Sequence, residues 1–367
     1  MISPILSSKT WNKIRKKFPI EPEDKIFFPL INDPVNLAAF LKLFPNRIIA
    51  SIPNYTVNTN ILQNQFLVNK IVKNQIEINM DFFGLSHEKL QHDVTKIIII
   101  FPSNLALSLV NFALHQVSKM SKQPVSLLII TSNKKQEEVI LNWLDENYLS
   151  VSKVKIQDKI SYIIPEFHPP KSLKTDFEDC TYRIEYKKTY GKFDFISSDG
   201  VFSKDKIDEG TNFLIDTIIS NGLISNNAEI IDYFSGIGVI GIVLSKLFDF
   251  STIHFIESDF LSLYSLKKNL ELHNIKDAIV HEIDGLEKSS ITPGTVDYII
   301  ANPPTHIKKE EFRIFLKISK SLLKNQGKLI IVINRIIPYE ETLKEYFPNP
   351  SNFLTYHKDN YKVIVNY

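Results

Sequence analysis

One rhythm runs through this chain twice. Strand-length apolar runs alternate with longer stretches whose apolar residues recur at helical spacing. In the first half, "RIIASI" (47–52), "KIIIIF" (96–101) and "VSLLIIT" (125–131) read as strands, and residues 58–74, 105–120 and 135–148 read as helices. In the second half, "EIIDYF" (229–234), "TIHFIES" (252–258), "AIVHEID" (278–284), "VDYIIAN" (296–302), "KLIIVIN" (328–334) and "NYKVIVNY" (360–367) read as strands. Residues 239–248, 259–274 and 308–327 read as helices, the last closed by Gly327 as a C-cap. Such alternation predicts parallel α/β layers. A length of 367 residues exceeds one ordinary core, so two domains of roughly 150–200 residues each are expected.

Between the two halves the character changes. "IIPEFHPPKS" is rich in proline, and "YRIEYKKTYGKFDFISSDG" alternates apolar and polar residues around Gly191, a hairpin pattern. The expected organisation is a first domain over 1–165, a linker and hairpin over 166–198, and a second domain over 199–367. No apolar run approaches the about 20 residues that span a bilayer as a helix. The N-terminus lacks a basic segment followed by a long apolar core, so a cytoplasmic protein is expected. Formal net charge is +2, which excludes a strongly basic nucleic-acid binder. The basic run "KTWNKIRKK" (9–17) reads as a solvated helix face rather than a polyanion-contacting arm. The single cysteine, Cys180, rules out a disulfide framework and cysteine-based metal sites within the chain. No metal is expected.

Four polar positions fall at the ends of successive strands in the second half. They are Asp232 with the loop Ser235–Gly238, then Glu257, then Asp284, then Asn302-Pro303-Pro304. Open parallel α/β sheets bind ligands outside the carboxyl ends of their strands. Singly, each position has a plain structural reading: loop packing for the glycines, a surface carboxylate for Glu257, a turn former for Asp284. Their joint spacing favours a ligand site. Glu257 follows the glycine loop at the distance where nucleotide-binding α/β folds place an acid on ribose hydroxyls. Gly236, Gly238 and Gly241 match a dinucleotide pattern, but the Asn-Pro-Pro element is foreign to hydride transfer. S-adenosylmethionine is therefore preferred to a nicotinamide cofactor.

The prolines fix φ and carry no N–H, so their carbonyls are not drawn into a ladder. The Asn302 side chain and the Pro303 carbonyl can together accept both hydrogens of one exocyclic NH2 group. Held in that way, a conjugated nitrogen turns its lone pair toward an electrophilic methyl. The gain is positioning and electrostatic preorganisation.

"IIDYFSGIGVIG", Glu257, Asp284 and "ANPPTH" resemble the motif set of class I S-adenosylmethionine-dependent methyltransferases that modify planar NH2 groups. "DGVFSKDKIDEGTNFLIDTI" (199–218) is similar to the segment before the first strand in bacterial ribosomal RNA guanine-N2 methyltransferases. The resemblance is specific over about residues 190–367 and rests on layout alone over 1–190. It implies an α/β protein of two tandem Rossmann-like methyltransferase domains. The N-terminal one would be degenerate, and the C-terminal one would carry the seven-stranded class I sheet. It also implies N2-methylation of a guanine in ribosomal RNA, with a lean to the large subunit. The partner would be ribosomal RNA or a ribosomal subunit, and the protein a monomer.

By the same resemblance, Asp232, Ser235, Gly236 and Gly238 would line the methionine part of S-adenosylmethionine. Glu257 would take the ribose hydroxyls and Asp284 the adenine amine. Asn302 and Pro303 would hold the substrate NH2, Pro304 would shape the turn, and Phe202, Thr305 and His306 would meet the substrate. Two positions depart from the family. Phe234 replaces a small residue and is expected to crowd the glycine loop. Thr305 replaces an aromatic, forgoing base stacking of about 1–3 kcal/mol. Adenine N6 and a protein glutamine amide are alternative acceptors for the same motif, and a catalytically silent RNA-binding protein is the alternative outside enzymes.

Overall fold

The computed structural model describes residues 6–82, 94–120, 125–147, 151–156, 160–165, 180–305, 307–336, 339–347 and 353–366. The chain divides into two compact units, Met1–Thr181 and Tyr182–Tyr367.

The first unit runs α1 (Ser8–Arg15), β1 (Lys25–Phe28), α2 (Pro34–Leu43), β2 (Arg47–Ile52), α3 (Tyr55–Gln63), α4 (Gln65–Val72) and β3 (Ile76–Met80). It continues with β4 (Lys96–Ile100), α5 (Leu107–Met120), β5 (Ser126–Thr131), α6 (Lys134–Asn147), β6 (Val151–Ile156) and β7 (Ile160–Pro165). Its strands form one seven-stranded sheet in the order β3-β2-β1-β4-β5-β7-β6.

The second unit opens with a hairpin of β8 (Thr181–Lys188) and β9 (Gly191–Ser198) and continues through α7 (Glu209–Ser220), β10 (Glu229–Tyr233), α8 (Val239–Leu247), β11 (Thr252–Glu257) and α9 (Phe260–Leu272). Then come β12 (Ala278–Glu282), β13 (Val296–Ala301), α10 (Lys309–Leu322), β14 (Leu323–Asn334), α11 (Tyr339–Tyr346), β15 (Phe353–Lys358) and β16 (Tyr361–Asn366). The order of its large sheet, β12-β11-β10-β13-β14-β16-β15, repeats that of the first unit strand for strand. In each sheet only the penultimate strand in this order, β7 or β16, runs antiparallel to its neighbours. The expected tandem α/β architecture with a seven-stranded second sheet is the one observed.

Successive strands are added to one side of β10 as far as β12 and then to its other side from β13, and β10 and β13 pair in parallel at this switch point. Above their carboxyl ends lies the crevice where such sheets take ligands. The helix α10 shows how sequence builds one wall. Phe312, Phe315, Leu316, Ser319 and Leu322 are its buried residues, and they fall on one helical stripe. Glu310 and Glu311 lie in its first turn and Lys320 in its last, as the helix dipole favours. The apolar stripe joins Tyr233, Ile299, Ile331 and Leu343 in the core of the second unit.

Three expectations are corrected. The single helix over 58–74 is two, because the Asn64 side chain accepts from the N–H groups of Phe66 and Leu67 and restarts the helix. Gly327 is not a helix C-cap. The helix stops at Leu322, and Gly327 lies inside β14 at a register shift opposite Val296 and Tyr298. A Cβ there would meet the Val296 carbonyl at 2.8 Å, so the need for glycine is interstrand contact. The strands β1, β3, β6, β7 and β15 were not read from the sequence because each is short or mixed in polarity.

Gly241 lets α8 lie directly on β11. A Cβ at that position would stand 2.4 Å from Phe255 Cε1 and 2.9 Å from Ile253 Cδ1, and Phe255 is fully buried. Gly241→Ala is expected to destabilise the second unit by about 1–3 kcal/mol through overpacking. The midpoint of urea or thermal unfolding reads this directly.

Candidate active site

Asp232 ends β10, and its buried carboxylate turns back onto the next helix. Its Oδ2 accepts from Gly241 N–H at 2.9 Å. Its Oδ1 has no partner among the described residues. Burial pushes the Asp232 carboxyl up to about 7, against the Gly241 N–H, which lowers it. Ser235 locks the loop to the neighbouring strand. Its N–H reaches the Ile256 carbonyl at 3.1 Å, and its Oγ donates to the Asp232 carbonyl at 2.7 Å. Gly236 and Gly238 take left-handed φ of 55° and 86°. A Cβ on Gly238 would strike Leu266 at 2.4 Å, whereas a Cβ on Gly236 would meet nothing within 4 Å. The Gly236 side of the loop is therefore open, and a ligand can approach its backbone there.

Glu257 ends β11 and collects three N–H groups. Ser258 and Asp259 donate to Oε1 at 2.7 and 2.9 Å, and Gly236 donates to Oε2 at 2.8 Å. A carboxylate has about four lone-pair sites, so a place on Oε2 remains for a hydroxyl. Burial, with Asp259 nearby, raises the Glu257 carboxyl to about 7 despite those donors. Asp284 follows β12 and is brought beside this strand end by the bond from Ile283 N–H to the Glu257 carbonyl, 3.1 Å. Its carboxylate is ion-paired with Lys288, so a ligand amine would share it with that ammonium.

Asn302 follows β13 directly. Its Nδ2 donates to Asp208 Oδ2 and to Thr211 Oγ1, each at 2.9 Å. The carbonyl arm Oδ1 is thereby turned away from both, and no donor among the described residues reaches it. Pro303 is buried and Pro304 exposed. The Pro304 carbonyl accepts from Ile307 N–H at 3.0 Å and closes the turn. Thr305 is exposed, as is Phe202 at 76% of its surface. His306 lies outside the described residues.

Phe234 does not crowd the loop. Although its φ is 60°, its ring packs 4.0 Å from Tyr233 and 5.8 Å from Phe315, on the α10 side of the sheet. Left-handed backbone costs about 1–2 kcal/mol for such a residue, and the partial burial of the ring against Tyr233 and Phe315 works against that cost.

Sequence reading missed three supporting residues. Asp208 and Thr211 lie at the start of α7, and an aspartate before a helix was legible only as a cap. Asn269 of α9 donates to the Ile237 carbonyl at 2.9 Å and to the Ile196 carbonyl at 2.9 Å, joining the glycine loop to the hairpin. Nothing marks it in the sequence.

The duplicated sheet supplies a control inside the molecule. Ile31 N–H reaches the Ser51 carbonyl, and Asp81 N–H the Ile52 carbonyl, just as Ser235 and Ile283 reach those of Ile256 and Glu257. Together with the strand registers, these bonds align Phe28, Ile52, Phe82 and Ile100 with Asp232, Glu257, Asp284 and Asn302. All four are apolar and buried. The first unit shares the scaffold and carries apolar side chains at these four positions.

The family model described as methyltransferase small domain matches residues 192–365. Ribosomal RNA small subunit methyltransferase C of Hahella chejuensis is 32% identical over 169 residues, 43% of this chain and 47% of that protein. Ribosomal RNA large subunit methyltransferase G of Pseudoalteromonas atlantica is 27% identical over 176 residues, 45% of each chain. The chain thus spans about half the length of these curated relatives. A solved structure, the T. thermophilus 16S rRNA N2 methyltransferase in complex with AdoMet and guanosine, aligns with 95% of this chain and 90% of its own. Its TM-score is 0.74 at 16% identity, a likeness of fold that takes in both units. Residues 192–365 therefore match the methyltransferase small domain, and the second half of the chain is similar to curated ribosomal RNA methyltransferases.

Proposed function

We propose that the second unit transfers a methyl group from S-adenosylmethionine to N2 of a guanine in ribosomal RNA. The observation that carries this reading is Asn302. Its amide nitrogen is tied down, and its carbonyl faces away from that tie at the sheet's switch point, at the end of the strand that pairs with Asp232's strand. The open Gly236 backbone and the unpartnered Asp232 oxygen suit the amino-acid end of the cofactor. Glu257 suits its ribose, and Asp284 its adenine amine. When bound, the cofactor supplies the electrophilic methyl. Asn302 Oδ1 and the Pro303 carbonyl accept the two N2 hydrogens and aim the nitrogen lone pair. A base-paired guanine must first leave its stack, at a few kcal/mol. Exposed Phe202 offers the ring that Thr305 lacks.

In this reading the second unit is the catalytic one, and it takes in the hairpin of β8 and β9 together with 199–367. The apolar replacements at Phe28, Ile52, Phe82 and Ile100 support a first unit that assists RNA binding without a cofactor of its own. The protein works as a cytoplasmic monomer on ribosomal RNA or a ribosomal subunit. Curated relatives act on both the small and the large subunit, so both are substrates to be assayed.

The proposal predicts transfer of labelled methyl to rRNA or subunits from a strain lacking the gene, with N2-methylguanosine identified by mass spectrometry. Asn302→Ala should lower the rate by roughly 10²-fold or more. Absence of transfer, or an Asn302→Ala protein as active as wild type, defeats it. Calorimetric titration should give one cofactor per chain.

The raised carboxyl of Glu257 sets a pH dependence. Its ordinary value is 4.5 and its folded value about 7. In the free protein its contribution to stability is full below about 4.5 and is lost as pH rises through 7. Cofactor affinity should move oppositely, because the ionised carboxylate is the better acceptor for ribose hydroxyls. Binding should tighten from pH 6 to 8, and Glu257→Gln should flatten that slope.

A further inference from the structure

An asparagine amide has two different ends, and only one of them suits this site. With Oδ1 toward the substrate, Asn302 accepts from an NH2 group. Turned over, it would present its own NH2 and repel the substrate. Thr211 cannot choose between these poses, because a hydroxyl both donates and accepts. Asp208 can choose. Its carboxylate only accepts, so the inverted pose would set two acceptors against each other at the 2.9 Å contact.

The Asp208 carboxylate is itself fixed. It is the N-cap of α7, with Oδ2 also accepting from Thr211 N–H at 3.1 Å, while the Asp208 carbonyl accepts from Asn212 N–H at 2.9 Å. A Cβ at Gly210 would stand 3.0 Å from that Oδ2 and 3.0 Å from the Tyr361 ring, so glycine leaves the carboxylate room that a larger residue would press upon. One oxygen thus serves both the helix end and the strand end, 94 residues apart in sequence. The loop that leads to Asp208 carries Phe202.

We infer that Asp208 is a positioning residue that selects the amine-accepting pose of Asn302 and ties the Phe202 loop to the reacting group. This rests on the proposed methyl transfer. Its residues stand apart from the cofactor positions, so its signature is a loss of turnover without a loss of cofactor binding.

Asp208→Ser is the cleanest variant. Serine caps a helix about as well as aspartate but is too short to reach Asn302. Its turnover should fall by roughly 10²-fold, with cofactor affinity and far-UV circular dichroism unchanged. A second pair reads the polarity of the contact. Asn302→Asp alone places two carboxylates together and should be nearly inactive. Combined with Asp208→Asn, whose NH2 donates to residue 302 while its carbonyl arm takes over the Thr211 N–H cap, it restores a donor facing an acceptor and should regain at least about tenfold over the single variant. Turnover of Asp208→Ser within about twofold of wild type, or no gain from the combination, overturns the inference. In the same samples, the Tm changes of Asp208→Ser and Asn302→Ala should be non-additive, and strict additivity also overturns it. That thermal readout does not depend on catalysis. An inactive wild type with non-additive Tm values would count against methyl transfer while leaving the contact established.

Discussion

The turn from β10 into α8 is the constraint on which the second unit depends. Within ten residues the chain must end a buried strand, reverse, and start a helix pressed against the same sheet. Gly241 permits the pressing, because any Cβ would enter the Phe255 ring. Asp232 steadies the reversal by accepting the Gly241 N–H. Glu257 reaches across from β11 to the Gly236 N–H, and Asn269 holds the Ile237 carbonyl from behind. The loop is therefore fixed on three sides and open on the fourth. A ligand there would meet backbone already in place, at little cost in ordering.

The first unit shows how separable scaffold and chemistry are. Both sheets share one strand order, yet Phe28, Ile52, Phe82 and Ile100 fill the positions of Asp232, Glu257, Asp284 and Asn302 with buried apolar side chains. Buried carboxylates oppose folding unless they are compensated, as the raised values of Asp232 and Glu257 show. Replacing them by apolar groups removes that cost. The second unit holds two buried carboxyls whose raised values mark the cost of their burial.

Legibility from sequence followed physical range. The strand runs at 97–100, 127–130 and 329–333 are fully apolar because parallel strands are covered on both faces, and such runs stand out. β1 was missed because four residues are too few to carry a period, and β3 because its five residues are mixed in polarity. The glycine loop, Glu257 and Asn302 were legible because their chemistry sits at fixed distances along alternating elements. The crowding expected from Phe234 was not found, since residue type does not tell which side of a sheet a left-handed turn sends a ring. Gly327 was misread for a related reason: a glycine after a helical pattern looks like a cap unless the opposing carbonyl is known.

The sequence by itself determined the repeated α/β rhythm, the order of the polar strand ends and the character of the Asn-Pro-Pro turn. These depend on local period and on residue chemistry. Tertiary structure alone decided what those groups face. The match between Asp208 and Asn302, the support of the glycine loop by Asn269, and the pairing of Asp284 with Lys288 depend on where separate elements meet in the fold. Residue spacing specifies the elements, while the packing of α7, α9 and the central strands sets the distances between them. A hydrogen bond that closes across 94 residues leaves no period in the sequence, because its only requirement is that two side chains arrive together.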